Sequence, residues 1–114
     1  MAPNCLFCGI VAGEIPASVV YENEQVLAFR DIDPKAPTHI LVIPKRHITD
    51  IVSLSDQSDD IHIALSKAIR AVADQEELSN GFRVVSNVGV DGGQTVFHLH
   101  YHVLGGRELT WPPG

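Results

Sequence analysis

The chain has 114 residues, 45% of them hydrophobic, with 8 Lys and Arg against 14 Asp and Glu and a net charge of −6. That length suits one domain, residues 1–114, with one real core, and scattered cations in an acidic chain exclude a duplex nucleic-acid binder that works by phosphate neutralisation. No apolar run approaches the roughly 18 residues of a membrane span, and Met1-Ala2-Pro3-Asn4-Cys5 lacks the basic and apolar segments of a signal peptide, so a cytoplasmic protein with no membrane partner is expected.

Asn4 to Ile15 is short and apolar, and Pro16 biases Ile15 away from helix, which predicts a short N-terminal helix and then a break. Val19 to Glu22 and Val26 to Arg30 are β-rich runs around Asn23-Glu24 and read as a hairpin. Two prolines make Asp31 to Pro37 a loop. Thr38 to Pro44 follows as a third strand, with His39, Leu41 and Ile43 on one face and Ile40 and Val42 on the other, a pattern that suits a central position. From Ser55 to Gln75 the period changes: Ile61, Ala64, Leu65, Ala68, Ile69 and Val72 recur at helical spacing behind the capping candidates Ser55, Ser58 and Asp59. Asn80-Gly81 closes this one long helix into a strand from Phe82 to Ser86, and Asn87 to Thr95 is a glycine-rich loop feeding the last strand. The sum is an α+β fold, a five-stranded mostly antiparallel sheet whose long helix covers Leu99, Tyr101 and Val103.

The last strand, His98-Leu99-His100-Tyr101-His102-Val103-Leu104, holds three of the 6 histidines at two-residue spacing, which places three imidazoles on one face. Same-face neighbours lie about 6.6 Å apart, too far for a ready-made three-ligand metal site, so the residues alone leave a metal site completed by other elements and a catalytic ridge both open. Gly92-Gly93-Gln94-Thr95 just before it permits a backbone nest for phosphate oxygens. An imidazole that is neutral at one nitrogen and held by a hydrogen bond at the other is a competent nucleophile toward phosphorus, and crowded imidazoles depress one another's protonation. Cys5-Leu6-Phe7-Cys8 is half of a zinc site that two histidines would complete, or else a pair of reduced cysteines in a short helix.

His98 to Leu104, continued by Gly105-Gly106-Arg107, resembles the signature of the histidine triad (HIT) superfamily, and Trp111-Pro112-Pro113-Gly114 is similar to the tail of its Hint branch of purine nucleoside phosphoramidases. Leu6-Phe7-Cys8, Glu14 to Ala17, Asp31 to His39, Asn87 and Asp91 to Gln94 extend the resemblance over nearly the whole chain. It implies a HIT-like fold, a homodimer, and hydrolysis of nucleoside 5′-phosphoramidates or acyl- or aminoacyl-adenylates to a purine mononucleotide through a covalent nucleotidyl-histidine. In that reading His100 is the nucleophile, His102 hydrogen-bonds the phosphate, and His39 and His98 orient the nucleophile. Asn87 and the backbone of Gly93, Gln94, Thr95 and Val96 hold phosphate oxygens, while the Thr95 hydroxyl, a serine in many relatives, passes a proton to the departing amine. Phe7, Ile10, Phe29, Ile32 and Leu41 clamp the base, Asp31 accepts from the ribose hydroxyls, and Trp111 reaches the neighbouring subunit's site. No cofactor is required for this catalysis. Relatives with the cysteine pair imply a structural zinc on Cys5, Cys8, His47 and His98, which would withdraw His98 from the catalytic chain. Two other readings are a dinucleoside polyphosphate hydrolase, against which the Hint-like tail counts, and a nucleotide- or zinc-binding adaptor in which turnover is incidental.

Overall fold

The computed structural model describes residues 4–114. Cys5 caps helix α1 (Leu6–Val11), its sulfur accepting from the Cys8 amide, and the chain then turns into the hairpin of β1 (Val19–Glu22) and β2 (Val26–Arg30). Asn23 makes that turn with its side chain: Oδ1 accepts from the Gln25 and Val26 amides at 2.8 and 2.9 Å, an Asx turn that satisfies two backbone donors locally. Strand β3 (Thr38–Pro44) is buried at every position, and β4 (Phe82–Val85) and β5 (Tyr101–Gly105) complete an antiparallel sheet of order β1-β2-β3-β5-β4. The third strand is therefore central, as its two apolar faces predict.

Both faces of the sheet are covered, which explains the apolar runs of β2 and β3. On one side helix α3 (Asp59–Gln75) lays Ile61, Leu65, Ala68 and Val72 against Val26, Ala28, Ile40, Val42, Leu99 and Val103. On the other, Phe7 of α1 joins Leu27, Phe29, Leu41 and Ile43, with Ile10, Val11 and Val96 packed at the margin. Gly105, next to the end of the sheet, leaves room for Leu78: a Cβ there would meet its Cδ2 at 2.8 Å. Among the described residues no helix is long and apolar enough to cross a membrane.

Several boundaries differ from those the sequence predicts, among them the start of the long helix and the start of the last strand. The long helix begins at Asp59 rather than near Ser55, because Asp50 caps a separate short helix α2 (Ile51–Leu54), accepting from the Ser53 amide at 2.8 Å, and buried Leu54 anchors it. Ser58 then sits at the N-cap with its hydroxyl on Asp60 rather than on a backbone amide. Helix α3 ends at Gln75 as the periodicity predicts, with Glu77 in the left-handed region at φ 58° just beyond it, ahead of Asn80-Gly81. Strand β5 starts at Tyr101 rather than at His98. The Leu99 amide donates to the Ile48 carbonyl at 2.6 Å, and the His100 carbonyl accepts from the Ser86 hydroxyl at 3.0 Å, so this stretch bonds to loops instead of a ladder. Side-chain alternation persists through it nonetheless: Leu99, Tyr101 and Val103 face α3, as expected.

Candidate active site

The triad divides into two clusters, and backbone groups set the proton on each ring. The His100 Nδ1 faces the His98 carbonyl oxygen at 2.8 Å, and since a carbonyl only accepts, Nδ1 carries the hydrogen and Nε2 the lone pair. His39 is set the opposite way. The Lys35 backbone amide donates to its Nδ1 at 3.0 Å, so a neutral His39 is protonated on Nε2, which donates to His102 Nδ1 at 2.9 Å. That acceptor role leaves the hydrogen of His102 on its own Nε2. The rings of His100 and His102 lie 5.0 Å apart, so a nitrogen lone pair and a nitrogen donor are presented side by side. Such a pair can attack an electrophilic centre while donating to an oxygen attached to it.

Burial favours the neutral form of the His39 and His102 rings. Burial pushes the His102 pKa from 6.5 down to about 4, helped by the nearby His100 and His39 and opposed by the Asp31 carboxylate. Burial lowers His39 as well, with Asp31 opposing it from 3.4 Å. An unfolded chain therefore takes the His102 proton first as pH falls. The stabilisation due to neutral His102 is complete above pH 6.5, is lost between 6.5 and about 4, and does not change further below that. We expect the melting temperature to fall across that window and to fall less in His102→Gln; parallel curves for the two proteins would refute the assignment.

The glycine loop is stapled by Gln94, whose side chain is buried: its Nε2 donates to the Thr49 and Val96 carbonyls at 2.9 and 3.2 Å, and its Oε1 accepts from the Gly89 amide at 2.9 Å. Gly92 must be glycine because a Cβ would overlap the Val88 carbonyl oxygen. The nest is narrower than the sequence predicts. The Gly93 and Gln94 amides donate to Val90 and Gly89 carbonyls at 3.0 Å, and the Asn87 amide nitrogen is bound to the Gly92 carbonyl at 2.6 Å. Among the described residues the amides of Thr95 and Val96 have no such partner, so these two are the donors left for an anion. Phe7, Phe29 and Leu41 are buried together and Ile10 and Val96 pack beside them, whereas Ile32 is fully exposed at 101%. Asp31 caps its loop, Oδ1 accepting from the Asp33 amide at 2.8 Å, and its Oδ2 faces His39.

His98 lies apart from the catalytic rings and belongs by its side chain to the second cluster. Its Nε2 donates to the Pro44 carbonyl at 2.8 Å, which leaves the Nδ1 lone pair directed at Cys5 Sγ (3.4 Å) and Cys8 Sγ (3.6 Å). His47 Nδ1 is 3.3 Å from Cys8 Sγ, and all four donor atoms lie within 4.8 Å of one another. Two thiols and two imidazoles, one with its outer nitrogen tied to a carbonyl, fit a tetrahedral zinc site. Burial meanwhile raises the Cys5 thiol pKa, a penalty that a bound cation offsets. Asp31, His39 and His102 also converge within 4.8 Å, but they fit a metal poorly, because the only inward nitrogen of His39 is the one bearing its proton. His98 thus meets His100 through its carbonyl and not through its ring. Neither the Lys35 amide nor the Pro44 carbonyl is legible as a site group in the sequence, since every residue carries a carbonyl and all but proline an amide hydrogen.

The HIT domain, as a family model, matches residues 12–109. The chain is 50% identical to a 14 kDa zinc-binding protein of Zea mays, over 96% of its own length and 87% of the relative's. It is 46% identical to the adenylylsulfatase HINT1 of Arabidopsis thaliana, over 96% and 76% respectively. A solved HIT family hydrolase of Legionella pneumophila superposes with a TM-score of 0.93 at 51% identity, covering 97% of this chain and all of that one. The α+β architecture is that of such proteins, and the chain belongs to the HIT family.

Proposed function

We propose that this chain is a hydrolase acting on nucleoside 5′-phosphoramidates or acyl- or aminoacyl-adenylates, releasing a purine mononucleotide through a covalent nucleotidyl-His100. The observation that carries the reading is the opposed protonation of neighbouring rings, a lone pair on His100 Nε2 beside an N–H on His102 Nε2. The Arabidopsis relative's name, an adenylylsulfatase, describes action on an adenylyl group joined to a leaving group, which agrees with this substrate class.

His100 Nε2 attacks the α-phosphorus, and the bond to the leaving group breaks as the P–Nε2 bond forms. The substituted ring becomes cationic, and its Nδ1–H on the His98 carbonyl disperses that charge. His102 Nε2–H and the Thr95 and Val96 amides meet the non-bridging oxygens, while the Thr95 hydroxyl delivers a proton to the departing amine. Water then attacks the same phosphorus, its proton returning to the Thr95 oxygen, and the P–Nε2 bond breaks, which restores neutral His100. Phe7, Ile10, Phe29 and Leu41 offer the base an apolar wall, with exposed Ile32 closing on it and Asp31 accepting from the ribose. Cys5, Cys8, His47 and His98 would hold zinc, which would supply a structural cross-link between α1 and the triad. The two free thiols suit a reducing cytoplasm.

Rapid acid or alkaline quenching with an adenosine phosphoramidate tests this directly. An adduct on His100 that survives base and is lost in acid is expected, and turnover through any other residue would sink the mechanism. We further infer a two-fold dimer in which the tail meets the neighbouring site. Supporting it, Phe82 and Val84 are 41% exposed on edge strand β4, and Trp111 is 81% exposed on a tail that Arg83 holds through the Leu109 and Thr110 carbonyls. Deleting Trp111 to Gly114 should reorder relative rates across a panel of amine leaving groups; an unchanged order refutes the role in trans.

A further inference from the structure

The cysteine pair is joined to the nucleophile by two routes. The first runs through His98: the ring Nδ1 lies 3.4 Å from Cys5 Sγ and 3.6 Å from Cys8 Sγ, and the carbonyl of the same residue holds His100 Nδ1 at 2.8 Å. The second is Phe7, which lies between the two cysteines in the chain. Its ring meets His100 edge to face at 5.1 Å and 87°, and His98 at 5.9 Å. Whatever alters the bonding of the thiols therefore acts on both groups that position His100.

The thiols are also placed to react with each other. Cys5 is the N-cap of α1 and Cys8 lies three residues on in its first turn, with the Cys8 amide on Cys5 Sγ at 3.3 Å. Cys5 is half-buried and lines, with Leu6, His47 and Phe97, a cavity of about 500 Å³ through which a small oxidant reaches it; Cys8 behind it is buried. A more accessible attacking thiol backed by a buried resolving thiol is the order of access that a redox-sensitive pair uses.

We propose that Cys5 and Cys8 are a peroxide-sensitive thiol pair whose conversion to a disulfide dismantles the Cys5, Cys8, His47 and His98 cluster and slows the His100 reaction. This rests on the phosphoryl-transfer and zinc readings given above. The Cys5 thiolate attacks one oxygen of hydrogen peroxide, giving a Cys5 sulfenic acid and hydroxide. The Cys8 thiolate then attacks the sulfenic sulfur, forming the S–S bond and expelling a second hydroxide. Two sulfurs are oxidised, the peroxide is reduced, and two protons from solvent complete two waters. The cluster is left with two imidazoles, too few to hold zinc. His98 loses the restraint on its ring, and its carbonyl and Phe7 shift against His100.

The test treats the full-length, zinc-loaded protein with hydrogen peroxide and follows thiol count, zinc released to a chromogenic chelator, the disulfide by peptide mass spectrometry, the His100 ring by 15N NMR, and kcat with KM. Expected are loss of both thiols, a moved His100 signal, and a kcat lower by about 10- to 100-fold, the scale of a small misplacement of a reacting group. Dithiothreitol with zinc should restore all of these, and a Cys5→Ser, Cys8→Ser double variant should respond to peroxide in none. Absence of the disulfide overturns the thiol pair. A disulfide with unchanged kcat and an unmoved His100 signal overturns the coupling while the hydrolase reading stands. If the untreated protein turns over no substrate the hydrolase reading fails instead, and the thiol count and His100 signal still decide the pair.

Discussion

Replacing His100 by alanine should lower turnover of an adenosine 5′-phosphoramidate by more than about 10⁴-fold, as removal of a nucleophile does elsewhere, while the mononucleotide still binds within a few-fold. Binding survives because the base wall, Asp31 and the loop amides are other groups on other elements. Chemistry does not, because no other ring has the same protonation: His39 and His102 both carry their hydrogen on Nε2, and the free nitrogen of His98 faces sulfur. The variant leaves the His98 carbonyl without its donor, an orphaned acceptor that costs about 1–3 kcal/mol, so folding is checked alongside by circular dichroism. Steady-state rates and calorimetric titration with the mononucleotide separate the two effects. Turnover within about 10-fold of the parent would remove His100 from the covalent step.

Purified protein should contain about one zinc per chain, falling below about a tenth in Cys8→Ser. The expected loss of stability is large. At free zinc a thousandfold above its dissociation constant the site contributes about 4 kcal/mol, which in a domain of this size corresponds to roughly 15 °C in melting temperature. The size of the effect follows from what the cluster joins. Cys5 and Cys8 belong to α1, His47 follows β3 and His98 precedes β5, so one ion ties together three segments distant in sequence. Calorimetry with and without a chelator measures it. Metal content below a tenth of an equivalent in the parent protein would eliminate the zinc reading.

How far the sequence reaches differs element by element. The β1–β2 hairpin is legible because its cause is local: Asn23 closes the turn within a few residues and the flanking runs are rich in β-branched and aromatic residues. Strand β3 is legible because seven consecutive residues with no charge among them have nowhere to go except between two layers. The break between α2 and α3 is not, because helical periodicity continues across Ser55 to Ser58 while burial of Leu54 and the Asp50 cap decide where the turn falls. The phosphate nest is half legible. Its glycines announce a special backbone, but which amides stay free depends on turns that spend those of Gly93 and Gln94 internally.

The triad draws the same line inside one motif. The two-residue spacing of His98, His100 and His102, the glycines ahead of them and the Cys5–Cys8 pair are properties of the chain alone, because strand alternation and motif spacing act over a few residues. The sequence by itself therefore determined the family resemblance, the sheet and the identity of the reactive side chains. Only the tertiary structure decided their division of labour. It places the Pro44 carbonyl, 54 residues ahead of His98 in sequence, on that ring's Nε2 and so turns its free nitrogen toward the thiols. It sets His39 against His102 across 63 residues, which puts a donor beside the lone pair of His100. Which nitrogen of an imidazole bears the proton depends on the single group facing it. That group here is a backbone amide or carbonyl, or for His102 the ring of His39, so only the fold decides which nitrogen each histidine leaves free.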